Sequence, residues 1–288
     1  CKEYLNLINE LTKYNKYDKK IANIGGSNSI LKHSYTNKLK QNNYNFKNYA
    51  IGSVNSIYGL IQLIKYDIIN KYDLIIYEYF VNDNNHYSQF NINNVDRVRK
   101  TLIEITNMCI SSKTKLLFIY IYRKEHKLNG VYENSSMFSM YKNFSEKYKI
   151  STIDVYQLLH SKFKEKWVNY YIDETHLSDK GMDLIYEEII KKLNIKTVPR
   201  FISGNDYDGF NLLKIIQINK YLDTVNYTNS LINVEYSEIL DKIKIKFNKK
   251  TTILGIEYIC DIDSGYIQLS NSKNTIQKNL LQNESFVL

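Results

Sequence analysis

Apolar residues in the first two-thirds of the chain follow two alternating patterns. Short continuous runs read as buried strands at Lys20–Ile24, Phe46–Ile51, Asp73–Tyr79, Lys115–Tyr122 and Ile150–Val155. Between them apolar positions recur at helical spacing. Ile57, Leu60, Ile61, Ile64 and Ile68 form one stripe, and Val95, Val98, Leu102, Ile105 and Cys109 another. A last helix is predicted from about Asp179 to Leu193, with Ser178 placed to cap it and Met182, Ile185 and Ile189 facing inward. Strands apolar on both faces need cover on both faces, and amphipathic helices between them supply it. The pattern predicts a three-layer α/β/α domain around a parallel sheet. Helical spacing also begins at the start of the chain (Tyr4, Leu7, Leu11).

The period then changes. Pro199 follows Lys196-Thr197-Val198, and from about Leu231 apolar residues alternate with period two. Ile243, Ile245 and Phe247 come first, then residues 253–258, then 266–269, with Ser264-Gly265 as a turn. Residues 1–198 are therefore expected to form the α/β domain and residues 199–288 a small β-rich accessory domain, whose completeness stays open. The Asn- and Lys-rich stretch Lys38–Lys47 reads as a surface loop.

Composition narrows the function classes. Apolar content of 43% and charged content of 24% are ordinary for a globular protein. A net charge of +9 admits a polyanion partner, but the lysines are spread along the chain without a block of five or six like charges. A solvated basic surface is expected, with no nucleic-acid partner, and an acidic or phosphorylated glycan fits the charge equally well. Cys1, Cys109 and Cys260 form neither a disulfide framework nor metal-ligand spacing, so no metal is expected. No segment approaches the ~20 apolar residues needed to cross a bilayer. A cytoplasmic location is expected. The alternative is the cell envelope or periplasm, with Cys1 as a lipoprotein's mature terminus or the chain as a processed fragment. Oligomeric state is not legible.

In open α/β sheets, ligands bind beyond the carboxyl ends of the strands. That rule gathers Gly25-Gly26-Ser27-Asn28-Ser29 after the first strand, Gly52-Ser53 after the second, Asn82-Asp83 after the third, and Asp173–His176 ahead of the final helix. A Ser hydroxyl is a poor nucleophile until a His takes its proton, and that His needs an acceptor on its other nitrogen. Asp173 and His176 lie three residues apart on one turn, so the carboxylate reaches Nδ1 and leaves Nε2 facing Ser27. Ser29 is the rival hydroxyl. Preorganised donors for an oxyanion would be the N–H groups of Ser27 and Gly52 and the side-chain amide of Asn82. Gly52 lacks a Cβ, which leaves its N–H open to close approach.

These residues resemble the SGNH, or GDSL-type, hydrolases. That family's four blocks would be Gly25-Gly26-Ser27, Gly52 within Tyr49-Ala-Ile-Gly-Ser53, Asn82 within Phe80-Val-Asn-Asp83, and Asp173-Glu-Thr-His176, in the family's order across residues 18–195. Leu177-Ser178-Asp179-Lys180-Gly181 also resembles the segment just after the family's His. Gly26 stands in place of the usual Asp and Phe80 in place of a Gly. The resemblance implies a flavodoxin-like α/β/α fold and a cofactor-free serine hydrolase or acyltransferase. Its triad would be Ser27, Asp173 and His176, with an oxyanion hole of Ser27, Gly52 and Asn82. The Phe80 ring, near that hole, is expected to shape the acyl pocket or to signal altered chemistry.

His86 and Arg123 are further candidate substrate contacts, although His86 and His126 also read as solvated loop residues. Glu78, a carboxylate inside an apolar strand, is expected to pair with a neighbour or line the floor of the site. Trp167, Tyr170 and Tyr171 pack beneath the histidine loop or stack on a sugar. Members of the family with a β-rich appendage often act on carbohydrates, so the substrate implied is an O-acylated, bacterial glycan. Three alternatives stand. One is transfer of an acyl or phosphoryl-type group to a polysaccharide with the same triad. Another is a glycan-binding module that has lost the triad geometry. The third is a phosphate binder cradling its anion on Gly25–Ser29, which gives Asp173 and His176 no role.

Overall fold

Five strands make one sheet: β1 (Ile21–Gly25), β2 (Phe46–Asn48), β3 (Leu74–Glu78), β4 (Lys115–Tyr120) and β5 (Ser151–Asp154). The computed structural model describes residues 19–88, 94–193 and 198–200 and four short strands between 225 and 279. The strand order is β2-β1-β3-β4-β5 and every pair is parallel. The chain leaves β1 for β2 on one side and crosses to β3 on the other. The topological switch point, where ligands gather in such sheets, therefore lies between β1 and β3. All five strands fall inside the runs expected from the sequence, or within one residue of them. The second run stops at Asn48, yet the N–H groups of Tyr49 and Ile51 still donate to the carbonyls of Asn23 (2.8 Å) and Gly25 (3.1 Å). Gly52 is thereby tied to the end of β1.

Both faces are covered. On one, Ile21, Leu74, Ile76, Leu117, Ile119 and Ile153 pack with Tyr35 and Leu39 of α1 (Tyr35–Gln41), Leu159 of α7 (Val155–Phe163), and Met182, Ile185 and Ile189 of α8 (Asp179–Lys192). On the other, Ala22, Ile24, Ile75, Tyr77, Leu116 and Phe118 are buried. There α4 (Val95–Ser111) packs on α2 (Ser56–Lys65) and on α6 (Ser136–Tyr148). Of the second stripe, Val98, Leu102, Ile105 and Cys109 are fully buried as expected, and Val95 at the helix start is partly exposed. The first stripe is rotated: Gln62 and Leu63 are buried while Ile61 and Ile64 are partly exposed, and the helix ends before Ile68. Ser178 caps α8, its Oγ accepting from the Gly181 N–H at 3.4 Å.

Two expectations are corrected. Lys38–Lys47 is not a loop throughout, because α1 runs to Gln41, capped by Ser34 and buried through Tyr35 and Leu39, and β2 begins at Phe46. Asn82-Asp83 lies not in a loop but in the first turn of α3 (Phe80–Ser88). The run Asn-Asp-Asn-Asn-His has no apolar period and low helix propensity, and tertiary bonds hold it instead. Asp83 Oδ1 accepts the Ser56 N–H (3.0 Å), and Oδ2 accepts the Tyr141 hydroxyl.

The chain divides into two compact units, Cys1–Leu213 and Lys214–Leu288. In the second unit, β6 (Val225–Thr228) pairs antiparallel with β7 (Asn233–Tyr236), and β8 (Tyr266–Ser270) with β9 (Thr275–Asn279). The expected N-terminal helix around Tyr4–Leu11 and the β runs between 243 and 258 lie outside the described residues. Among the described residues no helix is long and apolar enough to cross a membrane.

Candidate active site

The turn after β1 is shaped by two glycines. A Cβ at Gly25 would come 2.5 Å from Ser29 Oγ and 3.1 Å from the Glu78 carbonyl oxygen. One at Gly26 would overlap the Asn82 amide oxygen and lie 2.8 Å from its Cγ. Their absence lets Glu78 and Asn82 close against the turn. Residues Ser27–Ser29 then make a single 3-10 turn that leaves Ser27 partly exposed while Asn28 and Ser29 are buried.

The Ser27 hydroxyl meets His176, with Oγ 2.7 Å from Nε2. His176 Nδ1 lies 2.7 Å from Asp173 Oδ2. An ionised carboxylate only accepts, so Nδ1 carries the ring proton and Nε2 is left to accept from Ser27. Asp173 Oδ1 also accepts the N–H groups of Thr175 and His176, both at 2.8 Å. Partial burial works to raise the Asp173 pKa, but the backbone bonds and the imidazole outweigh it and hold the group down at about 2. Asp173 is therefore a fixed negative charge at any pH of interest. The Asp173 side chain is 52% exposed and that of His176 26%, so the relay sits at the surface rather than in a closed cavity.

Neighbouring segments hold this loop. The Glu174 carbonyl accepts from the Lys124 N–H (2.7 Å), and its carboxylate accepts from the Glu125 N–H (2.9 Å), at the start of α5 (Lys124–Leu128). Trp167 and Tyr171 are buried and meet edge to face at 5.7 Å, which is the core packing expected beneath the loop. Tyr170 stacks on Phe163 at 4.2 Å.

The switch point also gathers Gly52 and Asn82. A Cβ at Gly52 would lie 3.8 Å from Ser27 Cβ and 3.4 Å from Ile30 Cδ1, so the glycine stands beside Ser27. Asn82 is 8% exposed. Its amide lies against Gly26, and Oδ1 meets no partner.

Phe80 is not at the mouth of the site. It has no exposed surface and sits among Tyr120, Tyr122, Tyr132, Phe138 and Tyr141, with ring centroids 5.1–6.0 Å away. The backbone turns at Phe80 to begin α3, and the ring is in the core. His86 is likewise 5% exposed on the same helix, and burial lowers its pKa. It is a buried helical residue and not the solvated loop residue expected. Arg123 caps the start of α5 and pairs loosely with Glu125 at 3.5 Å. His126 lies on α5 with its ring 6.0 Å from that of Tyr132. Arg123 and His126 thus flank the contact between α5 and the histidine loop.

Two polar residues have roles that sequence reasoning left open or missed. Glu78 is fully buried, its Oε2 accepting the Ser29 hydroxyl (2.9 Å) and the Gly26 N–H (3.2 Å). Ser29 Oγ also lies 2.7 Å from the Tyr35 hydroxyl oxygen, which is 2.9 Å from Asn23 Oδ1. Burial raises the Glu78 pKa to about 8, although the Ser29 and Gly26 bonds favour the ionised form. Ser29 is thereby committed to this chain and withdrawn from competition with Ser27. The missed residue is Asn28, whose amide bonds the backbone on both sides of His176. Its position next to Ser27 was the only signal in the sequence. Among the described residues no group of three His, Cys, Asp or Glu side chains is placed to hold a metal ion.

No family model and no curated protein sequence matches the chain. Solved structures do match. An acetylxylan esterase from Geobacillus stearothermophilus is 13% identical, with 63% of this chain and 97% of that one covered at a TM-score of 0.50. A hydrolase described as alpha/beta, from the metagenome of Lake Arreo in Spain, is 13% identical over 60% of this chain and 94% of its own, also at 0.50. A protein assigned to the lipolytic G-D-S-L family, from Desulfitobacterium hafniense, is 13% identical over 61% and 100%, again at 0.50. At this identity the likeness is one of fold. The parallel sheet and its helices have the architecture of SGNH hydrolases.

Proposed function

We propose that this protein is a serine esterase that removes O-acyl groups, with a glycan as the acyl-bearing substrate. The observation that carries the reading is the continuous relay Ser27–His176–Asp173, with both hydrogen bonds at 2.7 Å. As Ser27 Oγ bonds to the acyl carbon, its proton passes to His176 Nε2, and Asp173 stabilises the imidazolium that forms. The carbonyl oxygen, now an oxyanion, takes hydrogen bonds from the N–H groups of Ser27 and Gly52 and from the Asn82 amide. Collapse breaks the bond to the sugar oxygen, which leaves with the proton from His176. Water, deprotonated by His176, then cleaves the acyl-enzyme to acid and free Ser27.

The partial exposure of His176 and Asp173 supports a substrate presented on a bulky chain. The fold-level likeness to an acetylxylan esterase is consistent with that class by analogy. The test is release of acetate from an O-acetylated polysaccharide, compared with hydrolysis of a long-chain fatty ester. Acetate release that exceeds fatty-ester cleavage supports the reading, and the reverse order overturns the glycan assignment. Adding an unacetylated glycan acceptor separates the alternatives, because transfer yields acylated sugar at the expense of free acid.

Phe80 has no part in this substrate reading. Phe80→Leu is expected to lower stability by about 1–3 kcal/mol in urea titrations, since it opens space in an aromatic cluster. KM for an aryl acetate should stay within about two-fold. A KM change above ten-fold with unaltered stability would place the ring in the substrate pocket after all.

A further inference from the structure

The nucleophile and its base come from segments 149 residues apart, and the 2.7 Å contact between them is a bond that must break and re-form in each cycle. Something outside the reacting atoms has to fix that distance. Asn28 follows the nucleophile directly, yet its side chain is turned the other way and is fully buried. Nδ2 donates to the Thr175 carbonyl at 2.9 Å, and Oδ1 accepts the Leu177 N–H at 3.1 Å. A carbonyl only accepts and an N–H only donates, so the amide has one orientation that satisfies both. These two bonds bracket His176 on either side in the sequence.

The rest of the loop's backbone is satisfied from other directions. The N–H groups of Thr175 and His176 bond Asp173. The His176 carbonyl accepts from Ile172 at 2.9 Å, and the Leu177 carbonyl meets His33 Nε2 at 3.0 Å. None of those partners lies on the nucleophile turn. Asn28 is what joins the histidine segment to that turn independently of the reacting atoms.

We propose that Asn28 is a positioning residue that sets the approach of His176 Nε2 to Ser27 Oγ. It touches neither substrate nor the transferred proton, so its effect falls on kcat and not on KM. This inference rests on the serine-esterase reading.

The test measures aryl acetate kinetics and the rate of fluorophosphonate labelling in wild type, Asn28→Ala and Asn28→Asp. Rates are expressed per labelled Ser27, so any misfolded fraction drops out. Misplacing a catalytic group by about 1 Å costs on the order of 10²-fold. Asn28→Ala is therefore expected to lose kcat and labelling rate together by that order, with KM within about two-fold. Asn28→Asp keeps the acceptor for Leu177 but, when ionised, sets a carboxylate against the Thr175 carbonyl. Its kcat relative to wild type should rise as pH falls and the new carboxyl gains a proton to donate.

Wild-type kcat per labelled site in Asn28→Ala would overturn the proposal, as would a pH-independent ratio for Asn28→Asp. A wild type that neither labels nor turns over ester would instead bring down the esterase reading, and this inference with it.

Discussion

Ser27→Ala is expected to lower aryl acetate turnover by a factor on the order of 10⁴–10⁶ and to abolish fluorophosphonate labelling. The size of the loss comes from the chemistry of the relay. Without Oγ there is no acyl-enzyme, and His176 can only direct water at a site arranged for a serine oxygen. The members act as a unit, so His176→Ala should cost about as much as Ser27→Ala, and combining the two should add little. Removing one small, partly exposed hydroxyl leaves the core untouched, so the melting temperature should change by no more than a few degrees. Ser29→Ala is the control. Its hydroxyl is buried and bonded to Glu78 and Tyr35, so labelling at Ser27 should persist. Ser27→Ala turnover within ten-fold of wild type would end the serine-esterase reading.

The second large effect is on stability and comes from Glu78. Its carboxyl ionises at about 8 in the folded chain, against 4.5 as the ordinary value. Between those limits the folded protein holds a proton that the unfolded chain releases. The stabilisation tied to that proton is complete below about pH 4.5 and is lost progressively as pH rises through 8. A shift of this size corresponds to about 5 kcal/mol between pH 4.5 and pH 9.5.

Glu78→Gln removes the titration while keeping an oxygen for the Gly26 N–H and the Ser29 hydroxyl. The variant should match wild type near pH 5 and exceed it by several kcal/mol at pH 9.5, a gain in Tm on the order of 10 °C. The pH dependence of the difference between the two proteins is the decisive quantity, because all other titrations cancel in it. A difference that stays flat from pH 5 to 9.5 would show that Glu78 ionises normally.

The sequence disclosed the parts of this architecture that depend on local pattern. The runs around Ile75 and Leu117 are apolar on both faces, so their burial between helix layers could be read without coordinates. Asp173 and His176 were legible because they contact each other within one turn. Their link to Ser27 was legible because a parallel sheet forces the ends of its strands together.

What stayed hidden depends on residues distant in the chain. Helix α3 has no hydrophobic period, and it exists because Ser56 and Tyr141 meet Asp83. The sequence places Phe80 near Ser27 because Asn82, two residues on, lies against the turn at Gly26. The spatial neighbours of Phe80 come from residues 120–141, and they take the ring into the core. Asn28 looks like any turn residue until the segment 147 residues away is placed beside it.

The wide separation of Ser27 and His176 also bears on how the site comes into being. Ser27, Gly52 and Asn82 all lie within the first 82 residues, and their strands are neighbours in the sheet. His176 arrives from the last turn before α8, after every strand of the sheet has been made. Loop-closure entropy rises only slowly with length, so this late closure costs little more than a shorter one. The contacts of His176 with Ser27 and of its neighbour Thr175 with Asn28 span 149 and 147 residues of the chain. During synthesis, Ser27, Gly52 and Asn82 emerge long before His176, and α8, which covers one face of the sheet, emerges after it. The same segment that completes the core through Leu177, Met182, Ile185 and Ile189 therefore also brings His176 to Ser27.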